Sequence, residues 1–185
     1  MKQAIAGVAP REMAEVTVMT VWPSIAAFPS GRFLGSLYSL NIGVSVFTLG
    51  NILVLASIPH ALALYFYRLL PSIFGVPLYG TCYRLTNRRV VELRNEINLR
   101  NGIPHFSFGI PTKSLQLDRF DSVEIDVRPG QQWFQAGDLV FYHGDTETFR
   151  LDGVSRPEAF RQTCIKSNMS FVGVQEALER EAALA

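Results

Sequence analysis

Four arginines, Arg84, Arg88, Arg89 and Arg94, fall in one short stretch, YGTCYRLTNRRVVELRNEI (Tyr79–Ile97). A guanidinium presents a rigid fork of donors that matches phosphate geometry, so this set is a candidate lipid-headgroup site. Glu92 and Glu96 offset part of its charge, and a solvated strand face accounts for the same pattern. Other reactive groups are sparse. His143-Gly144-Asp145 sets a base beside an acid, but its residue types are those of a polar hairpin turn. Glu124 and Asp126 alternate on one strand face, where two carboxylates can share a cation or simply meet water. His105 stands alone, and Cys82 and Cys164 are far too widely spaced for a metal-binding pair. Buried thiols acting as small hydrophobes explain both cysteines. No G-x-S-x-G, H-E-x-x-H or phosphate-cradling glycine loop occurs. We therefore expect no catalytic residues, metal or cofactor.

The elements that position these arginines begin with a region of different character. A chain of 185 residues holds one domain and some extra. Its net charge of +1 argues against a nucleic-acid partner. Hydrophobic residues make up 48% of the chain, and they are unevenly placed. From Phe33 to Tyr67 there is no Asp, Glu, Lys or Arg, whereas beyond Thr81 acids and bases nearly balance. A straight helix over the uncharged run would reach about 50 Å, more than the roughly 30 Å of hydrocarbon it would need to cross. Two spans, Phe33–Leu49 and Ile52–Leu70, turning at Gly50-Asn51, fit better. Arg32 and Arg68 then lie on the same, positive side. The alternatives are one long helix bent at Pro59 and continuing along the interface, or a buried helix pair. No polar face marks the run, which counts against burial in a soluble core. His60 follows Pro59, and a neutral histidine bonded to backbone freed by the proline is the simplest reading.

After Pro77 the periodicity changes to two. In DSVEIDVR, Val123, Ile125 and Val127 alternate with Glu124, Asp126 and Arg128, and DLVFYH followed by Gly144-Asp145 and TETFRL reads as a hairpin. Asn87-Arg88 turns the first hairpin, with Tyr83 and Leu85 answering Val91 and Leu93. The count is about seven short, mostly antiparallel strands between Tyr79 and Leu151. Ser155 and Glu158 make a capping box with Pro157 in the first turn, and Phe160, Thr163, Cys164 and Ser167 recur at helical spacing. A second helical stretch is expected from about Phe171 to Leu184.

The order of these features resembles the bacterial pleckstrin-homology-like, membrane-flanking domain family. The resemblance rests on Tyr83, Leu85, Thr86, Arg89 and Val90, then Gly137, Asp138 and Val140, then Leu151, Gly153, Val154 and Pro157. It covers roughly Phe33 to Ser167. It implies an α+β protein: a two-span transmembrane hairpin, then a strongly bent antiparallel sheet capped by a C-terminal helix, held at the cytoplasmic face of a bacterial inner membrane. The expected divisions are an N-terminal cytoplasmic segment (1–32), the hairpin (33–70), a linker (71–78), the sheet domain (79–169) and a helical extension (170–185). Fold says little about chemistry. The expected role is a non-enzymatic scaffold or assembly module whose partners are the lipid bilayer and another membrane protein or a second copy of itself. The alternative is a sensor of anionic headgroups through Arg84, Arg88, Arg89 and Arg94, each basic group being worth about 1 kcal/mol near an anionic leaflet.

Overall fold

The computed structural model describes residues 15–40, 42–44, 47–70, 72–73, 80–100 and 103–183. Most of the expected linker, Tyr79 and the last two residues lie outside that set. In chain order, β1 (Thr17–Val21) leads through a 3-10 turn at Ile25–Ala27 to α1 (Pro29–Tyr38). A two-residue pair, β2 (Gly43–Val44) and β3 (Phe47–Thr48), precedes α2 (Leu49–Leu69). There follow β4 (Ser72–Ile73), β5 (Thr81–Thr86), β6 (Arg89–Arg100), β7 (Ile103–Gln116), β8 (Ser122–Asp126), β9 (Ala136–His143), β10 (Thr146–Ser155) and α3 (Pro157–Ala183).

Two antiparallel sheets carry the α+β fold. One runs β1-β5-β6-β7, with β4 adding a short parallel pairing to β6; the other runs β10-β9-β8. Tyr83, Leu85 and Val90 from the first sheet meet Leu139, Phe141 and Leu151 from the second in one core. The helix α3 closes its open end with Phe160 and Cys164, both fully buried. Burying a phenylalanine of this kind stabilises the fold by about 2–3 kcal/mol. Arg161 and Asn168 fasten the same helix to backbone carbonyls, Arg161 to Val123 (2.6 Å) and Asn168 to Phe120 (3.1 Å).

Several expectations are corrected. Phe33–Leu49 is not a membrane span. Its first part belongs to α1, whose Gly31, Leu34, Gly35 and Tyr38 form one buried face, and its second part is the short β2–β3 pair. Leu34 and Tyr38 are apolar because they pack on protein, whereas Phe33 and Ile42 are exposed. Among the described residues, α2 is the one helix long and apolar enough to cross a membrane, and only 6% of its most apolar window is buried. Its first turn is capped by Thr48, whose side chain accepts the Asn51 amide, and Arg68 sits in its last turn, where a cation suits the helix dipole.

Between Thr81 and Ser155 the described residues form six strands. The seventh, β1, comes from upstream of the uncharged run, so part of the expected N-terminal segment is built into the sheet. The first hairpin does turn at Asn87-Arg88, but its register differs by one residue from expectation. Leu85 faces Val90 and Tyr83 faces Glu92, while Val91 and Leu93 lie opposite Arg84 and Cys82. A slip of one residue exchanges the two faces of a strand, so Val91 and Leu93 join Cys82 in a small second cluster. Finally, α3 is one continuous helix. Asn168, Met169 and Ser170 are not strong helix breakers, and the Asn168 side chain is tied to the body of the domain.

Candidate functional site

The turn between β5 and β6 is organised by Thr86. Its hydroxyl oxygen accepts the amides of Arg88 (3.2 Å) and Arg89 (3.0 Å) and lies 2.8 Å from the Glu15 carboxylate. Glu15 in turn receives Arg89 through both arms of the guanidinium, at 2.8 and 2.9 Å. That bond holds the Glu15 carboxyl below its ordinary value, and Arg88 adds to the same field. Arg89 is thereby committed to fixing the strand that leads into β1. Sequence reasoning missed Glu15, since nothing local pairs it with a residue so far along the chain.

The hairpin does not bring its four arginines to one face. By register, Arg94 stands opposite Thr81 on the side that carries Tyr83 and Leu85, whereas Arg84 stands opposite Val91 on the other. The Arg94 side chain is 13% exposed and lies 3.8 Å from Glu92, which Lys113 approaches at the same distance. The Nε atoms of Arg68, Arg84 and Arg94, and the Thr81 hydroxyl, are buried without a hydrogen-bond partner among the described residues. Three of these groups follow one line of backbone. The Arg68 carbonyl accepts the Gly80 amide, Thr81 comes next, and Arg94 faces Thr81 across the pair.

A second polar centre lies in the other sheet. The Asp138 carboxylate is fully buried and accepts the Gln131 side-chain amide (2.7 Å) and the Gly153 amide (2.8 Å). Its other oxygen is 2.9 Å from Arg128 and 3.4 Å from Arg150. Arg150 also binds Asp126 and Glu147, which raises its own affinity for a proton and draws the Glu147 carboxyl down. Asp152 is pushed up, first by burial and then by the nearby Asp138 charge. Burial likewise drives the Tyr83 phenol well above its usual value, and its hydroxyl donates to the Asp152 carbonyl at 2.9 Å. With its lone pairs occupied, Asp138 is a structural anchor for its neighbours.

That anchor positions the segment leading to α1. Gly153 has φ +59°, and a Cβ there would come within 2.6 Å of the Ala27 backbone. Its carbonyl accepts the Ser24 amide at 2.6 Å. The Gly137-Asp138 and Gly153-Val154 segments, conspicuous in the sequence, thus meet where the chain leaves β1. Next to this point a cleft of about 420 Å³ separates α2 from the sheets, lined by Ile25, Leu62, Tyr65, Arg68, Phe134 and Ser155 among others.

The remaining candidates disperse. His143 pairs with Asp121 at 3.0 Å, not with Asp145, and both partners are 62% exposed. Asp126 is taken by Arg150, while Glu124 is exposed. His60 is exposed on α2, and Cys82 and Cys164 are buried free thiols, both pushed up by desolvation. No family model matches the chain, and no curated protein or solved structure matches it.

Proposed function

We propose that the chain is a non-enzymatic membrane protein that holds a pleckstrin-homology-like domain at the cytoplasmic face of a bacterial inner membrane and uses it to bind another protein. The observation that carries this reading is α2: an apolar helix, uncharged up to Arg68 in its last turn and exposed along one broad side, attached at both ends to a well-packed domain. Exposed apolar surface on that scale is stable in lipid or against a partner. A four-strand meander, a three-strand meander and a terminal helix, in that order, support the pleckstrin-homology-like reading. The insert that bears α2 occupies the connection between the first two strands of the first meander.

A surface suited to a partner lies beyond the C-terminal end of α2, where β4 pairs with β6. The strand β7 is an edge of its sheet, and with β6 it extends as an arm on which Phe106 and Phe108 are 55% and 75% exposed. An open strand edge flanked by aromatic side chains is a template for strand addition. The test has two steps. The full chain should stay with membranes through alkaline carbonate extraction; release would overturn the membrane reading. In mild detergent it should co-purify with a stoichiometric partner, and F106S/F108S should abolish that while leaving the thermal midpoint unchanged. Retention of the partner by the variant would remove the arm from the interface.

The headgroup reading keeps support from one observation, the buried unpartnered Nε atoms of Arg84 and Arg94. Because these two residues stand on opposite faces, they would act separately. Substituting either with Gln should reduce the preference of the reconstituted chain for anionic over zwitterionic vesicles, and an unchanged preference in both variants would end this reading.

A further inference from the structure

We infer that the insert between β1 and β5 enters the membrane and leaves it on the same side, so that α2 is embedded in one leaflet without crossing. The inference rests on the membrane reading above and concerns the path of the chain within it. It follows from four observations.

The first is that both ends of the insert belong to one sheet. Thr20 pairs with Arg84 and Val21 with Tyr83. Just beyond, Pro23 bridges to Val154 and Ser24 bonds to Gly153. At the other end the Arg68 carbonyl accepts the Gly80 amide. A bilayer cannot pass between two hydrogen-bonded strands, so the chain crosses it an even number of times between Val21 and Thr81.

The second observation excludes two crossings. The helix α2, with 21 residues, reaches about 31 Å, but α1, with 10, reaches only about 15 Å, half of the hydrocarbon thickness. The third is that α1 is fixed side-on to the domain. A Cβ on Gly35 would sit 2.0 Å from the Gly130 carbonyl oxygen, and the Tyr38 ring is 4.7 Å from Trp133 and 6.2 Å from Phe134. In turn α1 is fixed to α2. The Tyr38 hydroxyl hydrogen-bonds the Ser57 hydroxyl, and the Gly50 amide donates to the Leu40 carbonyl. The domain therefore accompanies α2 along its length, from Tyr38 near its start to Ser24 and Ile25 beside its second half. A full crossing would carry the loop holding Asp126, Arg128 and Gln131 into hydrocarbon, where charged and amide groups are strongly disfavoured.

The fourth observation selects lipid as the occupant of the outer surface. Leu55 and Phe66 on α2 are 70% and 61% exposed, and Phe33 and Ile42 beside it are both 65% exposed. No charged side chain interrupts the run from Phe33 to Tyr67. Trp22 and Trp133, the only two tryptophans, are each partly exposed at its flank, and Tyr65 and Arg68 form a cation–π pair at its end. Aromatic rings and a terminal arginine are the groups that sit at headgroup depth, and the exposed side of α2, two-thirds of its residues, is broader than the single stripe a protein groove would cover.

The test uses the full chain in bacterial inner-membrane vesicles of both orientations, with a membrane-impermeant maleimide. The native thiols are buried, so S39C, in the turn after α1, and D145C, at the exposed tip of the β9–β10 hairpin, supply the reactive sites one at a time. D145C should label fully from the cytoplasmic side only. S39C should show less than a tenth of its detergent-solubilised labelling from the far side. Labelling of S39C from the far side at more than half that level, with D145C still cytoplasmic, would establish two crossings and overturn the inference while keeping the membrane reading. Release of the chain by alkaline carbonate would overturn the membrane reading itself, and the inference with it.

Discussion

Two helices from one uncharged stretch of sequence meet opposite surroundings. The helix α1 buries Gly31, Leu34, Gly35 and Tyr38 on one face against the domain. In α2 Gly50 is the one buried residue. Charge alone does not separate them, since both lie largely in the run that lacks acids and bases. Spacing of small residues does. Glycines four apart in α1 let its backbone approach the backbones of Ile25 and Gly130, closer than any Cβ would permit. In α2 Gly50 likewise comes close to the Tyr38 and Leu40 carbonyls, but its other side carries bulky exposed side chains such as Leu55, Leu62 and Phe66. Two glycines on one face seat α1 on protein, while on the proposed membrane reading the bulky exposed side of α2 is the part matched to lipid.

The contrast breaks most completely at the buried carboxylate beneath α1. D138A takes one carboxylate from Arg128 and Arg150, which keep Asp126, and leaves the Gly153 amide and the Gln131 side chain without their acceptor. Each buried donor left without an acceptor costs about 1–3 kcal/mol, and two are left here. Because Gly153 seats Ser24 and Ala27, the loss should free α1 as well. Urea unfolding in detergent, read by tryptophan fluorescence, should show a lower midpoint and an early shift from Trp133. A midpoint within error of the parent would mean that α1 is seated by other contacts.

The packing half of the comparison is tested by G35A, which forces a Cβ onto the Gly130 carbonyl and the Phe134 ring. The expected loss is about 3 kcal/mol, the upper part of the range for overpacking. G173A is its control: a Cβ there meets nothing, and a helical glycine exchanged for alanine should gain up to about 1 kcal/mol. The lipid half is tested by L55K. Lysine costs about 3 kcal/mol at the centre of a spanning helix and less in one that stays within a leaflet, yet Leu55 touches little of the domain. The variant should leave membranes in carbonate while keeping its unfolding midpoint in detergent. A fall in that midpoint would show that α2 is held by protein contacts.

How much of this could be read from residues follows the same division. The strands DSVEIDVR, DLVFYH and TETFRL and the start of α3 at Pro157 were legible, because alternation, turns and a first-turn proline are local signals. Ser155, by contrast, ends β10, and Glu158 bonds Arg161 and Gln162. The uncharged run was legible as holding a helix long and apolar enough to cross a membrane, but not as one such helix instead of two. Its first part owes its composition to partners near Gly130 and Trp133, distant in sequence. The participation of β1 was hidden for a similar reason, since its pairing with β5 closes a long loop that no local pattern announces. Among the four arginines, position and sign were legible. The split between faces was not, because it depends on a register set by Leu85 and Val90 in the core. Asp138 was visible as part of a motif, but its role needed the Gly153 turn to be brought beside it.

The smallest effects concern the two carboxylates that fasten the strand and turn on either side of Ser24, and they have opposite signs. The Arg89 bond lowers the Glu15 carboxyl. The stability it contributes is therefore complete above the unfolded carboxylate value and is lost as pH falls through the folded one. Burial raises the Asp152 carboxyl. It favours folding most when protonated, so its contribution declines as pH rises from the unfolded carboxylate value through the raised folded one. Both groups are partly exposed, and each effect should stay under about 1 kcal/mol after screening. Thermal midpoints from pH 3 to 7 should show E15Q losing less stability than the parent on acidification. D152N should lose more, because it lacks the group that offsets that fall. If the E15Q profile instead ran parallel to the parent, the Glu15–Arg89 pair would not be holding β1, and β1 would rest on its pairing with β5.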